Sequence, residues 1–413
     1  MEAESTPIPR KILFTLMLIQ FTEILGFSIM IPVIPFLATD LGLNEFEIGL
    51  LSSIFSLCQL FSSPIIGKLS DKYGRKPLLI FSQFTTLTGF ILLGFSGFVN
   101  GVWLLVLARI VDGLLGSNMT VIQASLADIT TPKTRTQAFT ISSGVFGAAL
   151  ILGPVLGGFL STLTTLKYAL PMFLAAGISL LSIALVFTVL PETYIHRPAT
   201  IALSFNDIIP VKEINRFSKV KPIRRNLLLF FLYSTGFFMF IRTFLLIAIE
   251  EFGLTAELGG LYHTWIGIVR VILQFLVVER LIRAFGEDNI LFSGTIALIL
   301  AMIGYGLSTI STIYWIAFIP LTFLAYGTGT ARPVLTSRLT NSVGEKEYAT
   351  LLGINNSLTS LTQIFAPMLG GLILVYWNSI PLLVLCTMMF FCILVVLIVD
   401  KREKKRKRFG KIQ

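Results

Sequence analysis

Apolar stretches of about twenty residues alternate along the whole chain with short polar connections. A stretch of this length crosses the hydrocarbon core of a bilayer as an α-helix. Membrane β-strands would instead show strict alternation over about ten residues, and this chain does not have that pattern. We predict twelve helical spans, at 12–37, 46–66, 77–97, 102–126, 137–160, 169–190, 226–249, 259–280, 289–309, 313–337, 350–374 and 379–399.

The connections between these spans are short, except for a polar stretch from Pro191 to about Arg225 that divides the chain into two sets of six. The two sets resemble each other, because GPVLGG at 153–158 has a counterpart in APMLGG at 366–371. With an even number of spans in each set, the repeat is parallel, and folds of this kind bind substrate near the middle of the membrane between the halves.

The pattern therefore predicts an all-α membrane protein with two pseudo-symmetric six-helix halves. We expect a first bundle at 1–190, a cytoplasmic central loop at 191–225, a second bundle at 226–399 and a basic cytoplasmic tail at 400–413.

Composition agrees with a membrane protein. Hydrophobic residues make up 54% of the chain, charged residues only 13%, and the mean hydropathy is +0.85. A soluble domain needs more polar surface than this. The backbone of such a chain must satisfy its own hydrogen bonds within lipid, which helices do.

Basic residues give the expected orientation. With the N-terminus in the cytoplasm, 27 of the 32 lysines and arginines fall in cytoplasmic segments, and Lys167 alone falls in an external loop. This asymmetry predicts that both termini are cytoplasmic, as in a multi-pass protein of the cell membrane. The net charge of +10 is thereby explained without nucleic acid, and the basic tail is expected to bind anionic lipid.

Several other functions are disfavoured by what the sequence lacks. Its three cysteines lie in apolar runs without metal-ligand spacing, so we expect neither a metal site nor a disulfide framework. No G-x-x-x-x-G-K-[ST] motif occurs, so ATP drive and bound cofactors are not expected. With two histidines and no large soluble domain, an embedded enzyme or receptor is disfavoured. Two pseudo-repeats suit alternating access better than a channel.

The loop after the second span carries an ordered motif. It reads Gly67-Lys-Leu-Ser-Asp71-Lys-Tyr-Gly74-Arg75-Lys-Pro. Gly67 permits close helix packing and Gly74 permits a tight turn. Asp71 ends one span with an acid that Arg75 can pair with. A generic basic loop would not need these residue types in this order.

These residues resemble the major facilitator superfamily, whose signature here is G-x-L-x-D-x-x-G-R-K. The chain is also similar to the twelve-helix drug:proton antiporter branch, through Gly153-Pro154-x-x-Gly157-Gly158 in the fifth span. Three further matches are Gly26 to Pro35, Arg109-x-x-x-Gly113, and the loop from Asp128 to Arg135. The chain departs from that branch at Asp112, where Gln is usual, and at Ala149, where Gly is expected.

The resemblance implies a rocking transporter with a gate on one face of the first half. Asp71, Arg75, Asp128 and Arg135 would form an ion-pair network at the cytoplasmic surface, and a static structural cluster is the alternative. Gly153, Gly157 and Gly158 would let the fifth span approach a partner closely, and Pro154 would bend it.

Charges within the first half indicate where coupling occurs. An intramembrane charge costs about 2.5–3.5 kcal/mol on insertion scales, so each needs a reason. Glu23 lies near the middle of the first span, on one face with Gln20 and Phe27. Arg109 and Asp112 share a face of the fourth span. The resemblance implies that both spans line the central cavity, so Glu23 and Asp112 are the two candidates for a titrating acid, and Arg109 belongs to the same proton-coupling site. Arg109 would stabilise the charged form of Asp112, so we favour Glu23 as the proton site and Asp112 as the partner of Arg109.

The second half places basic and polar residues in its spans without an equally deep acid. His263, Arg270 and Gln274 lie on one face of the eighth span, and Asn356 belongs to a polar stripe of the eleventh. We expect these four residues to line the substrate cavity. Arg270 would pair across the cavity or meet an anionic substrate, whereas the eleventh-span stripe is equally typical of helix–helix contacts.

Together these features predict a proton-coupled antiporter that exports small amphipathic organic compounds by alternating access. We expect it to act as a monomer whose partners are substrate, protons and lipid. The alternative is a proton-coupled symporter or exchanger of an organic anion, for which Arg270, Arg242 and Arg332 are the motivation.

Overall fold

The computed structural model describes residues 9–99, 101–116, 118–163, 166–194, 211–311, 313–340, 342 and 345–409, and these residues are helical apart from short connections. The helices of the first half are α1 Arg10–Asp40, α2 Glu45–Tyr73, α3 Arg75–Ser96, α4 Val102–Leu115, α5 Asn118–Asp128, α6 Pro132–Leu163 and α7 Ala169–Thr188. Those that follow are α8 Val211–Ser218, α9 Lys221–Phe252, α10 Ala256–Ile272, α11 Glu279–Phe285, α12 Glu287–Ser311, α13 Phe318–Thr340, α14 Glu345–Trp377 and α15 Ser379–Phe409.

These helices confirm the predicted all-α membrane fold. Among the described residues, 11 helical segments are long and apolar enough to cross a membrane. The remaining span, tenth along the chain, is α13 Phe318–Thr340, which begins five residues after the start of the run predicted at 313–337. The chain therefore has twelve spans, and each hydrophobic run of the sequence became a helix because only a helix satisfies its own backbone in lipid.

Two spans have interruptions that the hydrophobic pattern did not reveal. The fourth span is built from α4 and α5, and Gly116 between them has a non-helical ψ of 37°. The eighth span continues from α10 through a π-helical segment, Leu273–Val278, into α11. Breaks and π segments of this kind often occur at functional sites in helices.

The described residues form two compact units. Unit 1 contains residues up to 43, residues 51–208 and residues 255–264. Unit 2 contains residues 44–50, residues 209–254 and residues from 265 onward. The beginning of α2 thus belongs to unit 2 and the rest of α2 to unit 1. The beginning of α10 belongs to unit 1 and the rest of α10 to unit 2.

Close backbone contacts organise unit 1. Ser28 of α1 donates a hydrogen bond to the Ala149 carbonyl of α6, at 2.9 Å. A side chain at Gly153 would collide with Ser28, and one at Gly157 would collide with the Ile29 carbonyl. Helices that approach this closely gain packing and weak polar contacts, which drive association where no hydrophobic effect operates.

Unit 2 is packed around buried aromatic rings. Phe240, Phe244 and Tyr305 lie in mutual contact, with ring centroids 5.2–6.3 Å apart. The Tyr305 hydroxyl donates to the Phe244 carbonyl at 2.8 Å. The short helix α8 of the predicted central loop packs against this unit through Phe217, which is 3% exposed.

Candidate functional site

The predicted proton site, Glu23, is bonded to a residue of the broken fourth span. Asn118, the first residue of α5, donates one amide hydrogen to Glu23 Oε1 at 2.5 Å and another to Thr86 Oγ1 at 2.9 Å. The Asn118 carbonyl oxygen accepts a hydrogen bond from Ser82. Asn118 is 1% exposed, so this amide has its donors and its acceptor satisfied inside the bundle.

The same chain of hydrogen bonds reaches the second predicted acid. Thr86 Oγ1 accepts from Asn118 and donates to Asp112 Oδ1 at 2.9 Å. Donor and acceptor roles therefore follow in one order from Asn118 to Asp112. Glu23 and Asp112, which the sequence offered as two separate candidates, are joined through Asn118 and Thr86.

The break in the fourth span makes room for these contacts. A side chain at Gly116 would collide with Asp112 and would approach Thr86 Oγ1 at 2.9 Å. The backbone amide of Gly116 donates to the backbone carbonyl of Asp112 at 2.8 Å, so α4 ends within one turn of Asp112. Glycine is required here because any Cβ would enter the hydrogen-bonded pair.

Arg109 lies beside this network and is 4% exposed. Its nearest guanidinium nitrogen is 4.0 Å from Asp112 Oδ2, at the limit of an ion pair. The same nitrogen contacts the Met30 sulfur at 2.7 Å, and the guanidinium lies 5.3 Å from the centre of the Phe55 ring. The guanidinium group of Arg109 is therefore stabilised by the Met30 sulfur and the Phe55 ring as well as by Asp112.

The two acids differ in their charge environment. Glu23 Oε2 is buried and has no hydrogen-bond partner among the described residues. The electrostatic interaction of Glu23 with Asp112 is repulsive, whereas that of Asp112 with Arg109 is attractive. A buried charge without a partner is costly, so the carboxyl of Glu23 is the less well compensated of the two.

The neighbours of Glu23 on the predicted face have different settings. Gln20 is 1% exposed and exchanges two hydrogen bonds with Ser142 of α6, at 3.0 and 2.7 Å. Its amide is used in the α1–α6 contact, so Gln20 is not carried into the proposed substrate site. Phe27 is partly exposed, and its ring lies 6.4 Å from that of Phe55.

The predicted gate residues cluster around Arg75, which is 6% exposed. Its guanidinium contacts Asp71 at 2.6 Å and Asp128 at 2.9 Å. It also donates to Ser70 at 2.6 Å and lies 4.7 Å from the Tyr194 ring centre. The structure thus brings three of the four predicted gate residues together, and the side chain of Arg135 lies outside the described part of the chain.

A carboxylate from the segment after α7 completes this cluster. Glu192 accepts from the backbone amides of Arg75 at 2.8 Å and Lys76 at 3.3 Å, which caps the beginning of α3. An acid is favourable at this position because the N-terminus of a helix carries partial positive charge. Gly74, just before the helix, has φ of 104°, which only glycine adopts readily. A Cβ added at Gly67 would lie 3.4 Å from Thr120 Cγ2, which is an ordinary contact.

The small residues of α6 make contacts on two sides. Gly153 and Gly157 lie against α1, as described above. A side chain at Gly158 would approach the Ala256 carbonyl at 2.8 Å and Glu257 Cα at 3.2 Å, and the Pro154 carbonyl lies against Gly260 of α10. These four residues all lie where helices approach closely within unit 1.

The cavity residues predicted in the second half fall in different units. His263 belongs to unit 1, where its ring nitrogen lies 3.2 Å from the Gly259 carbonyl. Arg270 and Asn356 belong to unit 2, and Asn356 is exposed. Gln274 lies in the π segment, and its side chain is outside the described part of the chain.

Sequence reasoning did not find four residues that the geometry places at these sites. They are Ser82, Thr86, Asn118 and Glu192. Neutral polar residues are common in membrane helices, so their type alone gave no signal. The Gly116-Ser117-Asn118 sequence, which contains two poor helix formers, was the one available indication of a break.

Twelve spanning helices with buried, hydrogen-bonded charges define a membrane transporter. The chain belongs to the Major Facilitator Superfamily, whose sequence profile matches residues 16–367.

Among known relatives, the class H tetracycline resistance protein of Pasteurella multocida is 30% identical over 404 residues, covering 90% of this chain and 92% of that protein. Multidrug resistance protein 2 of Bacillus subtilis (strain 168) is 26% identical over 372 residues, covering 88% and 89%. The human organic anion transporter MFSD10 (TETRAN) shares the fold, with a TM-score of 0.69 and 21% identity over 95% of this chain and 100% of that chain.

Proposed function

We propose that this transporter is a proton-coupled antiporter that exports small amphipathic organic compounds by alternating access. The observation that carries the proposal is the Glu23 carboxyl, which is bonded to Asn118 and leaves one buried oxygen without a partner. No cation lies within ion-pair distance of Glu23 among the described residues. A carboxyl in this setting suits alternation between a bound proton and a bound substrate.

The relatives support export as the direction of transport. The class H protein is named for tetracycline resistance and the Bacillus protein for multidrug resistance. Energy for such export is available from protons, because a membrane potential of 100 mV is worth about 2.3 kcal/mol per charge. Since about 1.4 kcal/mol corresponds to a tenfold gradient, one proton per cycle suffices for useful accumulation.

The proposed setting of the protein follows the sequence. The chain acts as a monomer in the plasma membrane with both termini in the cytoplasm, and the halves at 1–190 and 226–399 move against each other. The Arg75 cluster lies then at the cytoplasmic face, where the pairs with Asp71 and Asp128 support one state of the gate.

The test is transport into vesicles with and without an imposed pH gradient. Glu23→Gln should abolish proton-driven accumulation while downhill substrate exchange continues, because the substitution keeps the size of the side chain and removes its titration. Glu23→Asp should retain part of the coupling. Asp40→Asn is a control on the same helix, since Asp40 is in an exposed pair with Lys167 at 3.1 Å.

A Glu23→Gln protein that responds to the gradient like the parent would exclude Glu23 as the coupling site. Asp112→Asn would then be the next variant to measure. The direction of proton movement on adding substrate separates antiport from the alternative, symport of an organic anion: antiport releases protons on the side from which substrate is taken up, and symport takes them up there.

A further inference from the structure

Two arginines in the spans of unit 2 have no carboxylate partner among the residues that the structure describes. Arg270 is in α10 and Arg332 in α13. Two ion pairs of this unit join Arg225 with Asp400, and Arg338 with Asp288, and neither of them involves Arg270 or Arg332. Neither Arg270 nor Arg332 has a carboxylate within ion-pair distance in the described part of the chain.

These two arginines are close enough to repel each other. The electrostatic interaction between Arg270 and Arg332 is unfavourable, and both interact with the Tyr233 side chain of α9. Two like charges that repel each other within membrane spans are costly without an anion, because lipid cannot compensate them.

Tyr233 adds a second polar group without a partner. The side chain is 2% exposed, and its hydroxyl has no hydrogen-bond partner among the described residues. Its ring is stacked on that of Phe237, with centroids 6.0 Å apart and planes inclined by 3°, so the position of the hydroxyl is fixed. A buried hydroxyl is normally bonded, so one left free next to two arginines indicates a missing acceptor.

The two arginines and the Tyr233 hydroxyl differ in how far the protein covers them. Arg332 is exposed and Arg270 is partly exposed, whereas the Tyr233 hydroxyl is sealed. Part of each arginine residue is therefore left uncovered by the protein, whereas the Tyr233 hydroxyl is fully covered. Guanidinium groups bind carboxylate, sulfonate and phosphate oxygens in pairs, which gives them both charge and geometric complementarity to an anion.

We propose that Arg270 and Arg332 bind the acidic group of the transported compound, and that the Tyr233 hydroxyl donates to the same group when the arginines close on it. The substrate class is then an amphipathic organic anion or zwitterion that carries a carboxylate, sulfonate or phosphate. The proposal rests on the proposed transport function in that the ligand is the cargo, but it holds for either direction of proton coupling.

Binding is measured on the purified full-length protein in nanodiscs of zwitterionic lipid, as the shift of the thermal midpoint. The probes are 2-naphthoate, its uncharged analogue 2-naphthamide, and inorganic sulfate. We expect 2-naphthoate to raise the midpoint and 2-naphthamide not to. Arg270→Gln and Arg332→Gln should each weaken 2-naphthoate binding at least about tenfold, the loss expected for a charge-assisted hydrogen bond.

Arg280→Gln is the charge-matched control, because Arg280 is exposed in α11. It should bind 2-naphthoate like the parent. Equal shifts with 2-naphthoate and 2-naphthamide would overturn the proposal, and so would parental binding in both arginine variants. Sulfate should compete with 2-naphthoate, and failure to compete would contradict an anion site.

A lipid headgroup could supply the same chemistry, so a further arm uses nanodiscs that contain phosphatidylglycerol. If this lipid stabilises the parent but not the arginine variants, and 2-naphthoate then adds nothing, the site belongs to lipid and the substrate assignment is wrong. Continued 2-naphthoate binding in these nanodiscs supports a substrate site.

A pair of tyrosine variants tests the site without removing a charge. Tyr305 is also fully buried, but its hydroxyl is bonded to the Phe244 carbonyl. Tyr305→Phe should therefore lower the thermal midpoint without changing the response to 2-naphthoate. Tyr233→Phe should leave the midpoint without ligand unchanged or raised, and should weaken 2-naphthoate binding.

If Tyr233→Phe lowers the ligand-free midpoint as much as Tyr305→Phe does, its hydroxyl already has a partner and the proposal fails. All of these readouts are of binding, so they remain interpretable if the Glu23 transport experiment shows no proton coupling.

Discussion

At the scale of single residues, neutral polar side chains provide hydrogen bonds to the buried carboxyl groups of this membrane protein. The Asn118 side-chain amide donates to Glu23 and Thr86 and accepts from Ser82. Thr86 in turn donates to Asp112. Asn118 and Thr86 each both donate and accept, whereas Ser82 only donates and the two carboxyl groups only accept. Networks of this kind are stable only when complete, because one missing member leaves several buried groups unpaired.

Asn118→Leu should therefore destabilise the protein by about 1–2 kcal/mol, the upper range of hydrogen bonds between membrane helices. Thr86→Val should also destabilise it, and the double variant should lose less than the sum, since both substitutions break the same bond. The measurement is the thermal midpoint of the four proteins in detergent. Thr85→Val is the control, because Thr85 donates only to the Ser82 carbonyl of its own helix. Strictly additive losses would show that Asn118 and Thr86 act independently.

At the scale of elements, the fourth span is the most informative because it is broken where the site is. Gly116 ends α4, and α5 begins with Asn118, whose side chain meets both Glu23 and Thr86. In a continuous helix, the positions of Asp112 and Asn118 relative to each other would be fixed by the helix itself. The break at Gly116 lets α5 take a different direction from α4.

Gly116→Ala should disturb this arrangement, because a methyl group there would enter the space of Asp112 and Thr86. Overpacking of this kind costs about 1–3 kcal/mol, and proton-driven accumulation should fall with it. Gly144→Ala in α6 is the matched control: a Cβ at Gly144 meets nothing within 4 Å, so the substitution should stabilise the helix by up to about 1 kcal/mol. Equal midpoints and equal transport for the two variants would refute a special role for Gly116.

The beginning of α3 shows a second element that depends on its surroundings. Arg75 is unfavourably placed at a helix N-terminus, and three carboxylates, of Asp71, Asp128 and Glu192, surround it. In unit 2 the equivalent helix, α12, begins with its own acids, and Asp288 pairs with Arg338 of α13. The two halves thus use the same kind of ion pair with the charges exchanged between the helices.

Asp71→Asn should slow transport while the protein remains folded and inserted. Asp71 is 41% exposed at its side chain, and an exposed pair contributes only about 0–1 kcal/mol to stability. The defect should appear in turnover, measured in vesicles, rather than in substrate affinity. Asp40→Asn removes a comparable exposed pair outside the cluster and should transport normally. Normal turnover in a well-expressed Asp71→Asn protein would remove the proposed gating role.

At the scale of the whole molecule, each unit contains the start of a helix that otherwise belongs to the other. Residues 44–50 pack in unit 2, where Gly49 lies against Pro367 and Gly371 lies against Glu45. Residues 255–264 pack in unit 1 against Gly158. Both contacts depend on glycine, since a Cβ at any of these positions would meet backbone.

Gly371→Val should disfavour the arrangement seen here, because the added carbons would meet Glu45 and Phe46. A cost of about 1–3 kcal/mol corresponds to a population shift of about 5- to 150-fold, so transport should fall strongly if this contact forms in the cycle. Gly177→Val is the control, since a Cβ there meets nothing within 4 Å. Transport and surface expression of both variants are the measurements, and parental transport by Gly371→Val would show that the contact is dispensable.

The sequence predicted much of this whole-molecule plan, because spans and charges follow directly from the requirements of lipid. Glu23, Arg109 and Asp112 could be singled out since charges are rare in apolar runs. Asn118, Thr86 and Tyr233 could not, because polar neutral residues occur throughout membrane helices, and only the folded structure shows which of them have hydrogen-bond partners and which lack them. Gln20 shows the converse: helical spacing placed it beside Glu23, but the structure bonds its amide to Ser142 of α6.

The position of α2 near the N-terminus also has a consequence for the biosynthesis of the protein. Its first turn lies against Pro367 and Gly371, which are synthesised only after most of the protein has entered the membrane. Until then, residues 44–50 have no final partner and depend on lipid, water or insertion factors. We therefore expect a nascent chain truncated before α14 to leave this turn accessible to proteases, and the full-length chain to protect it. Maturation of the second helix would thus be one of the last events of biosynthesis.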